Sequence, residues 1–363
     1  MKTIREQDRI YMKRLKEMMP WYVQKYVNRN ERTLSPSTLL GYLRDYKIFF
    51  EWILREGFSK SNSIAEVPLT VLDELRIDDI EENFLNYLAF ENEIIGKQKN
   101  ATNTINHKIS SLRSLFYYLA NIAEDENFNP YLRRNVMAKI QISRKKIDIE
   151  TKAEQISEKI LFGDEIDEFR EFIAERYGLL DLNTLALTRY KQNKERDLAI
   201  ISLILASGLR IGEVANLKLA DVDFVDNKVR VDRKGNKEKY VPFSSIAATD
   251  LKMYLEIREK RYRVEKEQDT LFVTLQRTPV AAPMKKRSMQ TMIEKYAVAF
   301  GKPHLRAHIL RHTFATRFHE THKDLNMTKK QLGHESIQTT TIYTHVQDSR
   351  LQDAVEKADR REE

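Results

Sequence analysis

Strand-like alternation occurs convincingly once in this chain of 363 residues, in NKVRVDRKGNKEKYVPF at 227–243. Val229 and Val231 alternate with charged residues, KGN follows, and Tyr240, Val241 and Phe243 resume the pattern. A hairpin turning at Gly235 and Asn236 is therefore predicted. The other patterned stretches repeat at the helical period. Gly and Pro number only 10 and 8, and 41% of residues are apolar, a composition that suits helices better than a turn-rich β fold. The fold class is thus mainly α, with a small antiparallel β-hairpin or sheet in the C-terminal domain.

SPSTLLGYLRDYKIFFEWIL offers Ser35 as an N-cap and sets Leu39, Leu43, Tyr46, Phe50 and Ile53 at helical spacing. INHKISSLRSLFYYLA aligns Ile109, Leu112, Phe116 and Leu119 in the same way, with Lys108 and Arg113 elsewhere around the helix. Both belong to an all-α domain over 1–145. QISRKKIDIETKAEQIS then loses its period and clusters Arg144, Lys145 and Lys146, so 146–160 reads as a linker. The second domain begins at 161. Its stretch NKERDLAIISLILASGLRIGEVANL reads as a largely buried helix that ends at Gly208.

Lys and Arg outnumber Asp and Glu by 62 to 54, a formal charge of +8, which favours a polyanionic partner over an acidic-substrate enzyme. Cysteine is absent, which excludes disulfides, thiolate metal sites and a cysteine nucleophile. MKTIREQDRIYMKRLKEMMPWYV has no apolar core of a signal peptide, and LAIISLILASG at 198–208 is half the length of a membrane span. A cytoplasmic protein is expected.

AHILRHTFATR at 307–317 concentrates titratable chemistry on one helix. Leu310, Phe314 and Phe318 make a core stripe, and His308, Arg311, His312 and Ala315 make a second that faces polar surroundings. Spacing by three sets His308 beside Arg311, where imidazole and guanidinium could grip one phosphate or simply form a structural polar network. Zinc is a rival reading, since His304 and His308, or His308 and His312, sit at i and i+4, but neither pair has a third ligand or an HExxH-like base, so no metal or other cofactor is expected.

ASGLRIGEV presents Arg210, RKGNK puts Lys234 at the hairpin tip, and LGHESIQTTTIYTH brings His334 and Tyr343. The order Arg, Lys, HxxR, LGH, Tyr resembles the signature of the tyrosine recombinase (phage integrase) family. Nearly the whole chain resembles its Xer branch. MPWYV, FFEW, RNVM and NKERDLAII are most similar to the type that works without a second recombinase.

The resemblance implies that Arg210 and Arg311 are the two catalytic arginines, Lys234 the hairpin lysine, His308 the histidine of HxxR, His334 that of LGH, and Tyr343 the nucleophile. His312, His319, His322 and His345 fall outside the motif and read as packing or surface residues. A phenol with a pKa of about 10 needs a proton acceptor as it attacks, a role that falls to His308. Two guanidiniums would stabilise a pentavalent phosphorane without a metal, and Lys234 would protonate the leaving 5′ oxygen.

The family also implies a two-domain C-shaped clamp: a core-binding domain over 1–145, a linker over 146–160, a catalytic domain over 161–345, and a tail helix over 346–363 contacting a neighbouring protomer. Double-stranded DNA with a dif-like site of two inverted arms would be the substrate, a homotetramer on two sites the assembly, and an FtsK-type DNA translocase the activator. Lys47, Arg113, Arg144, Lys145, Lys146, Lys285, Lys286 and Arg287 are candidate phosphate contacts. A mobile-element integrase of the same chemistry, a type IB topoisomerase and a non-catalytic architectural DNA-binding protein are the alternatives.

Overall fold

The computed structural model describes residues 4–94, 101–141, 148–233, 237–275, 279–334 and 336–346. It divides into two units, Lys2–Lys145 and Lys146–Glu363, each with its own core.

The first unit is all helical among its described residues. Its central helix, Pro36–Arg55, begins as the sequence predicts: Ser35 Oγ accepts from the Thr38 amide at 3.1 Å, and Pro36 occupies the first helical position, where its missing N–H costs nothing. Leu39, Leu43, Tyr46, Phe50 and Ile53 are all buried, as are Ile109, Leu112, Phe116 and Leu119 on Thr102–Asn121. Between them Phe49, Trp52, Phe84 and Phe116 pack as an aromatic cluster. Each such ring contributes roughly 1.5–3 kcal/mol by burial.

The second unit is built on the helix Thr184–Ser207, whose residues from Leu198 to Leu205 are buried throughout. Strands β1 (Val222–Asp223), β2 (Lys228–Arg233) and β3 (Lys237–Pro242) form an antiparallel sheet in that order. Val229 pairs with Val241 and Arg233 with Lys237, so the predicted hairpin is present; its expected turn, Gly235 and Asn236, lies outside the described residues. A second two-stranded sheet joins β4 (Val273–Thr274) to β5 (Ala282–Pro283), strands too short to leave a pattern. Ile149–Ser157, expected within a linker, is instead a helix: Asp148 caps it through the Thr151 amide, and Ala153 is buried in the second unit's core. Among the described residues no helix is long and apolar enough to cross a membrane.

Candidate functional site

Two helix ends meet where the motif residues gather. Thr184–Ser207 stops at Gly208, whose φ of +68° is left-handed. A Cβ there would lie 2.5 Å from Phe314 Cδ1 and 2.8 Å from Leu332 Cδ2, so the turn demands glycine on both counts. That turn delivers Arg210 as the N-cap residue of Ile211–Asn216. Leu325–Leu332 ends in the same way at Gly333, with φ +65°, and His334 follows.

Arg311, on the helix Ala307–His322, joins the two ends. Its Nη1 donates to the Gly208 carbonyl at 2.6 Å and its Nη2 to the Leu332 carbonyl at 2.8 Å. Both acceptors sit at helix C-termini, where carbonyls lack intrahelical partners and the dipole favours a cation. The side of this helix expected to face polar surroundings is therefore covered in part: Arg311 is 8% exposed and Ala315 fully buried beside Leu332 and Tyr343, while His312 is half-buried and His308 exposed. Burial, reinforced by Arg210 and opposed by Glu213, pushes the Arg311 pKa down to about 10, which leaves it charged at neutral pH.

Arg210 is exposed and oriented by Glu213, which accepts from its Nη1 at 3.1 Å and from its backbone amide at 3.0 Å. Glu213 also lies 3.5 Å from Nε of Arg233, the last residue of β2. Arg233 donates to the Gln331 carbonyl at 3.0 Å, and any side chain at position 333 would collide with its guanidinium. The hairpin is thus tied to the turn that carries His334. Lys234 itself lies outside the described residues.

Tyr343 stands on the helical stretch 338–346 and is 1% exposed. Burial raises its pKa to about 12, opposed by Arg311 and Arg210. Its hydroxyl is 3.0 Å from Nδ1 of His312. The His334 ring lies nearly parallel to the phenol, at 15° and 6.4 Å between centroids, with Nδ1 3.1 Å from Thr340 Oγ1. Burial first, then His308 and Arg311, push the His312 pKa down to about 4. Burial, then Arg311, Arg210, His312 and Arg233, do the same for His334. Both imidazoles are neutral at pH 7 and each offers one donor and one acceptor. His308 is exposed in the first helical turn, its pKa lowered by partial burial of the ring and by Arg306 and Lys159, and its ring meets that of His312 edge-on at 6.3 Å.

Arg210, Arg311, His334 and Tyr343 are therefore brought together, His308 reaches the group through its edge contact with His312, and the ring in contact with the phenol is that of His312, which falls outside the motif. Sequence spacing could not separate the two histidines, because four residues apart they share a helix face. Glu213 and Arg233 also went unread; their charge beside Arg210 and Lys234 was the available signal.

The expected DNA contacts fare differently. Arg113 donates to the carbonyls of Met137 and Ile140, a task that serves the fold of the first unit. Lys47 pairs with Glu51 at 2.5 Å. Lys285, Lys286 and Arg287 are exposed at the start of Lys286–Ala299. Arg144, Lys145 and Lys146 lie outside the described residues.

Two guanidiniums and two neutral imidazoles around one phenol suit attack on a phosphodiester, and comparison with known proteins agrees. Residues 180–350 match the phage integrase family. Tyrosine recombinase XerS of Streptococcus pneumoniae (strain CGSP14) is 38% identical over 347 residues, 94% of this chain and 96% of the relative. Among solved structures, the XerH site-specific recombinase bound to a palindromic difH substrate is similar at a TM-score of 0.58 and 21% identity, covering 91% of this chain and 82% of that one. The Tn1549 transposon integrase in complex with circular intermediate DNA is similar at 0.56 and 17%, covering 93% and 98%. The identity and coverage of the first relative leave no doubt of kinship: the chain belongs to the tyrosine recombinase (phage integrase) family, enzymes that cleave and rejoin DNA through a tyrosine intermediate.

Proposed function

We propose that this chain is a Xer-type site-specific recombinase that acts in the cytoplasm on a dif-like DNA site and resolves chromosome dimers at cell division. The observation that carries the reading is Arg311 bridging two helix ends beside a buried Tyr343, with Arg210 and His334 next to it. The name of the Streptococcus pneumoniae relatives, tyrosine recombinase XerS, supports the biological setting.

Tyr343 Oη attacks the scissile phosphorus and forms a 3′-phosphotyrosyl bond as the bond to the 5′ oxygen breaks. Charge gathers on the non-bridging oxygens. The guanidinium forks of Arg210 and Arg311 are suited to it, and preorganised donors of this kind lower the barrier most where water is excluded. His308, three residues before Arg311, and neutral His334 add hydrogen bonds to the same oxygens. Lys234 supplies the proton for the leaving 5′ oxygen. Because the phosphotyrosyl link keeps the energy of the phosphodiester, a 5′-hydroxyl from another strand rejoins it without ATP.

Four protomers act on two sites, through a Holliday junction, with an FtsK-type translocase as activator; of the expected tail 346–363, Val346 is buried in the second unit's own core and the residues after it contact a neighbour. Lys285, Lys286 and Arg287 place cations at a helix N-terminus, where the dipole is already positive; a phosphate relieves that repulsion.

The test is covalent trapping. Wild-type protein incubated with a nicked suicide duplex bearing a dif-like site should give a slower band on a denaturing gel, and Tyr343→Phe should bind the duplex equally well and give none. A covalent band from the Phe variant would place the nucleophile elsewhere. Binding without covalent capture by either protein would favour an architectural role.

A further inference from the structure

We propose that His312 takes the phenolic proton of Tyr343 as the phosphate is attacked, a catalytic role that rests on Tyr343 being the nucleophile. His312 Nδ1 lies 3.0 Å from Tyr343 Oη, within reach of a general base, and with the ring proton on Nε2 it accepts from the phenol. His308 stands one turn back, exposed, and touches His312 by its ring edge. The phenol itself is buried, so water is a poor recipient for its proton.

The titratable groups that face His312 are His308 and Arg311 on its own helix, Tyr343 on the stretch 338–346, and His334 on the turn after Leu325–Leu332. Burial first, then the charges of His308 and Arg311, keep the imidazole neutral before DNA arrives, which leaves its lone pair free. A phosphodiester drawn in by Arg210 and Arg311 adds negative charge beside the ring and raises its affinity for a proton as the reaction needs it.

The step balances. An Oη lone pair forms the new bond to phosphorus, the phenolic proton moves to His312 Nδ1, the electrons of the breaking bond leave on the 5′ oxygen, and that oxygen takes a proton from the acid assigned to Lys234. In rejoining, the imidazolium returns its proton to the departing tyrosinate. His308 is left to contact a non-bridging oxygen with Arg311, as their spacing allows.

The experiment measures single-turnover cleavage of a nicked suicide duplex by the full chain, at saturating protein, from about pH 6 to about pH 9. Wild type and His308→Ala should have nearly flat profiles. His312→Gln, which keeps a hydrogen bond to the phenol but cannot take its proton, should bind DNA normally and cleave about 10²-fold more slowly at neutral pH. Its rate should climb about tenfold per pH unit as solvent base takes over. His312→Ala should behave alike and recover with added imidazole. A loss that is the same at every pH and untouched by imidazole would make His312 a packing residue. Cleavage faster than wild type would make the contact a restraint on the nucleophile. Either overturns the assignment. A covalent adduct formed by Tyr343→Phe would instead overturn the nucleophile beneath it.

Discussion

Arg311→Ala and Arg210→Ala should both stop cleavage yet differ sharply in stability, because the two guanidiniums are held in opposite ways. Arg311 is 8% exposed and satisfies two backbone carbonyls, at 2.6 and 2.8 Å, each at the end of a different helix. Truncation strands both acceptors, and an unsatisfied buried acceptor costs about 1–3 kcal/mol. Relief of the buried charge, whose pKa is already pushed down to about 10, returns part of this, so a net loss of about 2–4 kcal/mol is expected. For a domain of this size each kcal/mol moves the midpoint by about 2–4 °C, which gives a drop of about 4–16 °C. The Arg210 side chain is 45% exposed and its ion pair is with Glu213, a class of contact contributing about 0–1 kcal/mol. Arg210→Ala should therefore melt within a few degrees of wild type. In single-turnover cleavage at saturating protein, each variant should lose at least about 10²–10³-fold, the usual effect of removing one preorganised donor from a developing oxyanion. Thermal melts of the full chain, following the transition of the second unit, read the stability half. Equal midpoints for the two variants would refute the claim that Arg311 holds the helix ends together.

Lys234→Ala should be severely slow on ordinary DNA and largely recover when the bridging 5′ oxygen is sulfur, since a thiolate leaves without a proton. Arg311→Ala should not recover; single-turnover rates on both duplexes check this, and equal slowness for the lysine variant would move Lys234 to phosphate binding. Stability should also depend on acid: His312 and His334, each pushed from 6.5 down to about 4, bind fewer protons folded than unfolded between those values. Stability is thus full above about pH 6.5 and declines as pH falls through that window, and melts of His312→Gln and His334→Gln should show a shallower decline.

How much of this was legible in the sequence depends on the distance over which each feature is determined. The Pro36–Arg55 cap and stripe, the pairing of β2 with β3, and the glycine ends at 208 and 333 are set within a few residues of one another, and periodicity or turn chemistry finds them. Ile149–Ser157 escaped because its stripe of Ile149, Ala153 and Ile156 spans only nine residues, with Ala153 alone fully buried. On Ala307–His322 the polar stripe was legible and its partners were not. Arg311 is buried there because helix-end carbonyls replace its water, a partnership between residues 103 and 21 positions apart.

His312 is the sharpest case. Motif order identified the histidine before Arg311, and helical geometry put His312 on the same face, so nothing local could say which ring meets a tyrosine 31 positions away. That choice is made where the stretch 338–346 packs against the Arg311 helix. There Ala315 is the telling residue: its methyl group, one turn beyond Arg311, shares a small buried cluster with Tyr343 and Leu332, and the phenol seated in that cluster has its hydroxyl 3.0 Å from His312 Nδ1. A larger side chain at 315 would push the phenol outward. The small residue in AHILRHTFATR therefore helps to decide which histidine meets the nucleophile.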